Sequence, residues 1–310
     1  MQRKLMLLFL PFLACSPMKT AQQYWVAHDL DATIRECKAI VAKDSSAIDA
    51  YALLSRAYWE KGVLDSAQLA AETAFRLAPE EVAVRSHLAE LYSHRAEQAS
   101  IAGDLRTVLH FAKQAQATLP DHALYLERLG DIYAQLGRHD QAIEYYQQIS
   151  ADSAVQSRSK SKQDSLHSLN VQAQAEVEKG LQLYQRKSWS AAANRFARAR
   201  ELKPDYDRAR YYFHLASGQS LNRKGLDNQL WEAIEHFGLA SSIFPDRGEP
   251  HFWMATAYHK KDAKEYQNAI SEFEMCAQVE PEGPFAKQAR EKAAELRAHQ
   301  NKMQDFWGRK

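Results

Sequence analysis

Few residues in this chain stand at a spacing that does chemistry unaided. Glu232 and His236 lie four apart, so on a helix they share a face and could hold a divalent cation between them. No third ligand stands near them in sequence, and an ion pair on a solvated face accounts for the spacing as well. The twelve histidines are scattered along the chain. There is no HExxH to hold zinc, no CxxC to pair thiols, no GxxxxGK to cradle phosphate and no GxSxG to present a serine. No metal, cofactor or small-molecule substrate is therefore expected, and the chain reads as non-enzymatic. The alternative is an enzyme whose site assembles only in space, and a surface triad or metal cluster would be its sign. What chemistry remains is recognition. The run Tyr211-Tyr212-Phe213 follows Arg208, and aromatic rings beside arginine are what the centres of protein interfaces favour.

The elements that must position such residues are short helices in pairs. Residues 48–81, IDAYALLSRAYWEKGVLDSAQLAAETAFRLAPEE, place Tyr51, Leu54, Ser55 and Tyr58 on one helical face. Gly62 stands where that helix stops, because glycine takes the left-handed conformation cheaply. Ala67, Ala71, Ala74 and Leu77 form a second stripe, ended by Pro79. A hairpin of this kind cannot bury both faces alone. The same marks return in 123–156 (Gly130, Tyr133, Gly137, Ala142, Tyr146, Ile149) and in 173–206 (Gly180, Leu183, Ala192, Phe196, Ala199, Pro204). Weaker copies cover 18–47, 82–120, 207–245 and 248–281. Pro79 to Pro120 spans 41 residues, seven more than a period of about 34. That excess and a similar one in 207–245 point to lengthened helices or to enlarged turns at 94–104 and 218–230. Residues 284–304 carry Ala286, Ala289, Ala293 and Leu296 on one side of a charged helix, as a cap would.

This spacing resembles the tetratricopeptide repeat, a family of helix–turn–helix units that stack on one another. The resemblance implies an all-α, right-handed superhelical solenoid of about seven hairpins plus a C-terminal capping helix. It also implies a protein or peptide partner along the concave face, which the first helix of each unit lines. The groove residues expected on that reading are Arg56 and Trp59 in the N-terminal half, with Tyr184, Arg208, Tyr211, Phe252 and His259 in the C-terminal half. Asp49, Glu90, Ser93, Glu127 and Asp131, then Gln174, Leu181 and Thr256, share those faces. Phe213 is expected in the buried place of its unit, which leaves Tyr211 for the groove. The carboxylate clamp of some relatives is not matched, since Ala52, Arg56, Ser86 and Glu90 stand where lysine and asparagine would. Cys37 and Cys276 fall in the first and last repeats at buried places, so each is expected as an inert core thiol with no bond between them.

With 45% hydrophobic and 25% charged residues in 310, the chain is folded rather than disordered. Net charge is +1, and removing Arg3 and Lys4 with a leader (+1 − 2) leaves −1, so bulk charge makes no case for nucleic acid. Residues 1–15, MQRKLMLLFLPFLAC, have a basic start, an apolar run too short to span a bilayer, and Ala14 before Cys15. They resemble a bacterial lipoprotein signal. That resemblance implies a signal peptide over 1–14, a lipid on Cys15 as membrane tether and, with Ser16 following, an outer-membrane lipoprotein facing the periplasm. A soluble periplasmic protein is the alternative. The expected organisation is a repeat array over 15–156, a flexible Ser- and Lys-rich joint over 157–172, and a second array over 173–310. The function expected is a scaffold or adaptor of the cell envelope, or a soluble adaptor without the anchor.

Overall fold

The computed structural model describes residues 17–150, 153–262 and 266–308. Cys15 and the segment 1–14 lie outside the described residues. Within them there are fifteen α-helices and no strand, and no helix is long and apolar enough to cross a membrane. The helices come in antiparallel pairs: α1 (Pro17–Val26) with α2 (Leu30–Lys43), α3 (Ile48–Glu60) with α4 (Leu64–Leu77), and α5 (Val82–Ile101) with α6 (Leu105–Thr118). Then come α7 (Ala123–Gln135) and α8 (His139–Gln147), α9 (Ser153–Gln185) and α10 (Trp189–Leu202), and α11 (Asp207–Lys224) and α12 (Asp227–Ile243). The last pair is α13 (Glu249–Lys261) with α14 (Tyr266–Val279), and α15 (Ala286–Gly308) follows it. Six of the turns hang on one left-handed residue: His28, Gly62, Gly103, Gly137, Lys187 and Gly225, with φ between 56° and 80°.

Three of the pairs are locked by a ring laid on a glycine. Gly130 meets the Tyr146 ring, Gly180 that of Phe196 and Gly218 that of Phe237. A Cβ there would come within 2.3, 2.6 and 2.5 Å of the ring. In the pair α3–α4 Ser55 takes the place, and its Oγ donates to the Ala67 carbonyl at 2.8 Å. Gly180→Ala is therefore expected to lower the urea midpoint of the helices around it. The added methyl gains about 1 kcal/mol of helix propensity but costs about 1–3 kcal/mol by overpacking a ring that is fully buried. A raised midpoint would mean that Phe196 moves aside freely.

The chain divides into two compact units. One holds the described residues through Ile132 together with Glu144–Ser159; the other holds Tyr133–Ile143 and the described residues from Lys160 onward. In the first, Ala21, Ile34, Cys37, Leu53, Leu54 and Ala57 form a core between successive hairpins. In the second, Phe196, Phe237 and Phe273 each centre a cluster, and Ala289, Ala293 and Leu296 of α15 close the last. Cys37 and Cys276 are unbonded and buried, and burial pushes both thiols up to about 11, so they stay protonated and unreactive.

Two stretches left open or expected otherwise take a definite form here. The stretch 157–172, expected as a flexible joint, is helical and lies inside α9, a helix of 33 residues. No glycine or proline interrupts 153–179, and Val155, Ser159, Leu166, Ala173 and Val177 are buried at spacings of four and seven, one face of a helix. The division between the two units falls inside that stretch, at Ser159. The extra residues near 94–104 and 218–230 enlarge no turn. They lengthen α5 to 20 residues, α11 to 18 and α12 to 17.

Candidate functional site

Helices α9, α11 and α13 of the second unit line a groove of about 670 Å³. Its walls are Tyr184, Trp189, Trp253 and Phe285. Tyr184 and Trp189 meet edge to face at 4.7 Å between centroids, as do Trp253 and Phe285 at 5.8 Å. Glu249 opens α13 and lines the same groove. One of its oxygens, Oε1, accepts from the Tyr184 hydroxyl at 2.7 Å and from Trp253 Nε1 at 3.2 Å. Burial raises the carboxyl above its usual range and those two donors work against the rise. Burial, then the neighbouring Glu249, raises the Tyr184 phenol, which keeps it a donor.

The floor carries two amides from the lengthened α11. Gln219 is 5% exposed and Asn222 6%. Gln219 Nε2 and Asn222 Oδ1 have no hydrogen-bond partner. A buried polar atom left unpaired costs on the order of 1–3 kcal/mol, so such atoms are rare without a reason. Lys260 reaches from α13 to donate to the Asn222 carbonyl at 2.5 Å, where left-handed Gly225 ends α11. Lys187 and Arg223 stand at the rim.

The first unit has a groove of its own, about 600 Å³, between Trp25 of α1, Arg56 and Trp59 of α3, and Ser86, His87 and Glu90 of α5. The Trp59 ring lies 5.5 Å from the rings of both His87 and His94. His87 Nε2 is 2.8 Å from Ser55 Oγ. The single Ser55 proton already goes to the Ala67 carbonyl, so His87 must donate from Nε2 and keep Nδ1 bare. Burial, and then Arg56, lowers its pKa to about 4, which fixes the neutral ring.

A helix-pair unit with one small residue under one ring, recurring in register, has a matching sequence profile. That profile, described as a tetratricopeptide repeat, matches residues 48–81 and 123–149. Those two stretches are tetratricopeptide repeats. No curated protein matches it significantly in sequence. Solved repeat arrays resemble it at low identity. The tetratricopeptide domain of P58(IPK) is 15% identical with a TM-score of 0.40, over 91% of this chain and 98% of that one. The TPR2AB domain of yeast Sti1, solved in complex with pHSP90, is 16% identical with a TM-score of 0.35, over 90% and 95%. A MamA protein is 16% identical at 0.32, over 75% and 92%. Likenesses this distant carry no argument about partners.

Within the tetratricopeptide units, the sequence-expected groove residues part company. Arg56 and Trp59 line the first groove, and Tyr184 the second. Arg208 is exposed and paired to Glu178 at 3.1 Å, away from the groove lining. His259 is half-buried and stacks near Tyr266. Tyr211 and Phe252 are corrected: they are 4% and 3% exposed and belong to the core. Gly218 under Phe237 sets the register of α11, so its buried stripe runs Tyr211, Leu215, Ala216, Gly218. Phe213, expected inside, turns instead to the Arg200 guanidinium, 4.3 Å from the ring centroid. Glu127 and Asp131 are engaged, the first with Arg158 Nε at 2.6 Å and the second with the Tyr146 hydroxyl at 2.6 Å.

Sequence reasoning missed Trp189, Gln219, Asn222, Glu249, Trp253, Lys260 and Phe285. The repeat period could have found Gln219 and Asn222 once the register of α11 was set by Gly218. Phe285 and Trp189 sit at the starts of capping or second helices, where no period points. Glu232 and His236 gain no third ligand, and among the described residues no three His, Cys, Asp or Glu side chains gather as for a metal. His236 instead faces His214, Nδ1 to Nδ1 at 2.9 Å. One hydrogen-bond chain does have the order of a serine–histidine–acid relay. Ser241 Oγ lies 3.0 Å from His251 Nε2, and His251 Nδ1 lies 2.7 Å from Glu272. It ties α12, α13 and α14 together and lines neither groove.

Proposed function

We propose that the chain is a non-enzymatic scaffold whose polypeptide partner lies in the groove of the second unit. The carrying observation is the convergence there of four aromatic rings with two buried, unpartnered amides. Rings of this kind are interface anchors. Tyr184 and Trp253 are the anchors of that reading. A photo-crosslinking residue in place of Gln185, which lines the groove, should trap the partner, and the same residue in place of exposed Leu69 should not. Trp253→Ala is expected to cost on the order of 2 kcal/mol of binding, about 30-fold. Equal trapping from Leu69, or full binding by Trp253→Ala, would remove the groove from the reading.

The relay Ser241–His251–Glu272 is the observation that favours an enzyme. We read it as a strap between successive repeats. Ester hydrolysis by the full chain that disappears in Ser241→Ala would replace the scaffold reading for that face.

Location belongs to the same proposal. The basic start, apolar run and Ala14-Cys15 junction support a lipid on Cys15 and an outer-membrane site facing the periplasm. A first helix that begins at Pro17 would then lie two residues from the anchor. Cys15→Ala is expected to move the protein from the detergent-extracted membrane fraction to the soluble fraction. An unchanged distribution, with Met1 still present by mass spectrometry, would refute the anchor and leave a soluble adaptor.

A further inference from the structure

We infer that the groove of the first unit is a carbohydrate site, where Trp25 lies along the C–H face of a sugar ring and Arg56, Trp59, Glu60, His87 and Glu90 take its hydroxyls. The inference stands apart from the partner proposed for the second unit, whose groove shares none of these residues.

The polar lining comes first. The groove offers donors at Arg56 and at the indole Nε1 of Trp25 and Trp59, and acceptors at Glu60, Glu90 and His87 Nδ1. None of these groups is hydrogen-bonded or ion-paired to protein among the described residues, since Ser55 engages only the other nitrogen of His87. Other classes of ligand leave part of this lining unmatched. An apolar ligand would strip water from all of these groups and return nothing. An acid meets Glu60 and Glu90. A cation meets Arg56 and leaves both indole N–H groups unused. A hydroxyl both donates and accepts, so a row of hydroxyls fits a lining of mixed kind without needing a charge of its own.

A sugar carries such a row around a ring whose C–H groups form an apolar face. Those C–H groups suit the negative face of an indole. Trp25 is the ring free for that part: half-buried near the end of α1, it contacts no other aromatic ring among the described residues. Trp59 is held 5.5 Å from His87 and from His94, both of α5, so it is placed before a ligand arrives. A volume of about 600 Å³ lies within the range of small-ligand sites.

The test presents the full chain to an array of natural glycans, neutral, acidic and amino-bearing, and titrates the best soluble hit by calorimetry. Neutral glycans should be retained, and those with uronic acids or sulfates, repelled by Glu60 and Glu90, about tenfold less or weaker. Raised salt should leave the affinity of a neutral hit unchanged, because no charge pair is screened. Saturation-transfer NMR should place the ring C–H protons nearest the protein. Trp25→Ala should weaken binding about tenfold and remove most of that transfer, and Glu90→Gln should weaken it about threefold. Trp25 also packs against the core of the first hairpins. If its alanine variant melts earlier than the parent, Glu90→Gln carries the test, because that side chain is exposed. Retention of no glycan overturns the site, as does a neutral hit whose affinity neither variant changes. Binding confined to charged glycans and lost in salt would make the groove an ion site instead. Peptides crosslinked there that the glycan does not displace would make it a protein interface. Each of these failures leaves the second-unit reading untouched.

Discussion

Alanine at Phe252 or at Tyr211 should destabilise the second unit by about 3–5 kcal/mol each. Phe252 is 3% exposed and packs against Phe273 at 5.5 Å, Phe285 at 4.9 Å and Trp253 at 5.1 Å between centroids. Tyr211 meets Phe244 and Tyr212, each at 5.1 Å and edge to face. Truncation leaves cavities that stacked helices relax around only in part, and a domain has about 5–15 kcal/mol in all. The double variant is thus expected to unfold much of its unit, seen as lost helicity and a shallower, earlier urea transition. Phe252→Leu keeps most of the volume and should cost less than about 1.5 kcal/mol. A double variant with parental helicity and midpoint but weakened partner capture would put both rings in the groove.

That outcome reverses the assignment made from sequence, and the reason is physical. The repeat period tells which helix faces which, and it placed the hairpins of 48–81, 123–156 and 173–206 because their small residues and rings recur at fixed distance. It is silent where the helices are longer than the period. In α11 the extra residues are shared between the two sides of Gly218, so counting from the start of the unit turned Phe213 inward and Tyr211 outward. The contact that decides is Gly218 under Phe237. Likewise, the Ser- and Lys-rich composition of 157–172 suggested a linker, although Leu166 and Val177 keep helical spacing with Val155 and Ser159 across it. Composition describes the wet side of a long helix as readily as it describes a joint. The groove was legible in kind, as first-helix faces, and Tyr184, Arg56 and Trp59 could be named from it. Its polar floor was not, because whether an amide lacks a partner is a property of packed neighbours that no spacing encodes.

Acid should loosen both units, the first through buried His87 and the second through half-buried His214. His87 in the first unit and His214 in the second have pKa values lowered to about 4 from 6.5. Burial is the first cause for both; Arg56 adds to it for His87, and His236, Arg200 and Arg210 add to it for His214. Well above pH 6.5 the ring is neutral folded or unfolded, and it adds no pH dependence. Between 6.5 and 4 the unfolded chain binds a proton that the folded chain refuses, so stability falls with pH. For His87 the loss approaches about 3 kcal/mol near pH 4, and the more exposed His214 contributes less because solvent screens it. The structural route differs between the two. A proton on His87 lands on Nδ1, since Nε2 already donates to Ser55, and puts charge beside Arg56 under the Trp59 ring. A proton on the His214–His236 pair removes the acceptor that their single Nδ1–Nδ1 hydrogen bond needs. Hydrogen exchange resolved by peptide, at pH 7 and pH 5, should show faster exchange in α3 to α5 and in α11 to α12 at the lower pH after correction for intrinsic rates. His87→Gln retains a donor for Ser55 and does not titrate, so it should flatten the response of α3 to α5 alone. The same acid response in α3 to α5 of that variant would mean that His87 does not carry it.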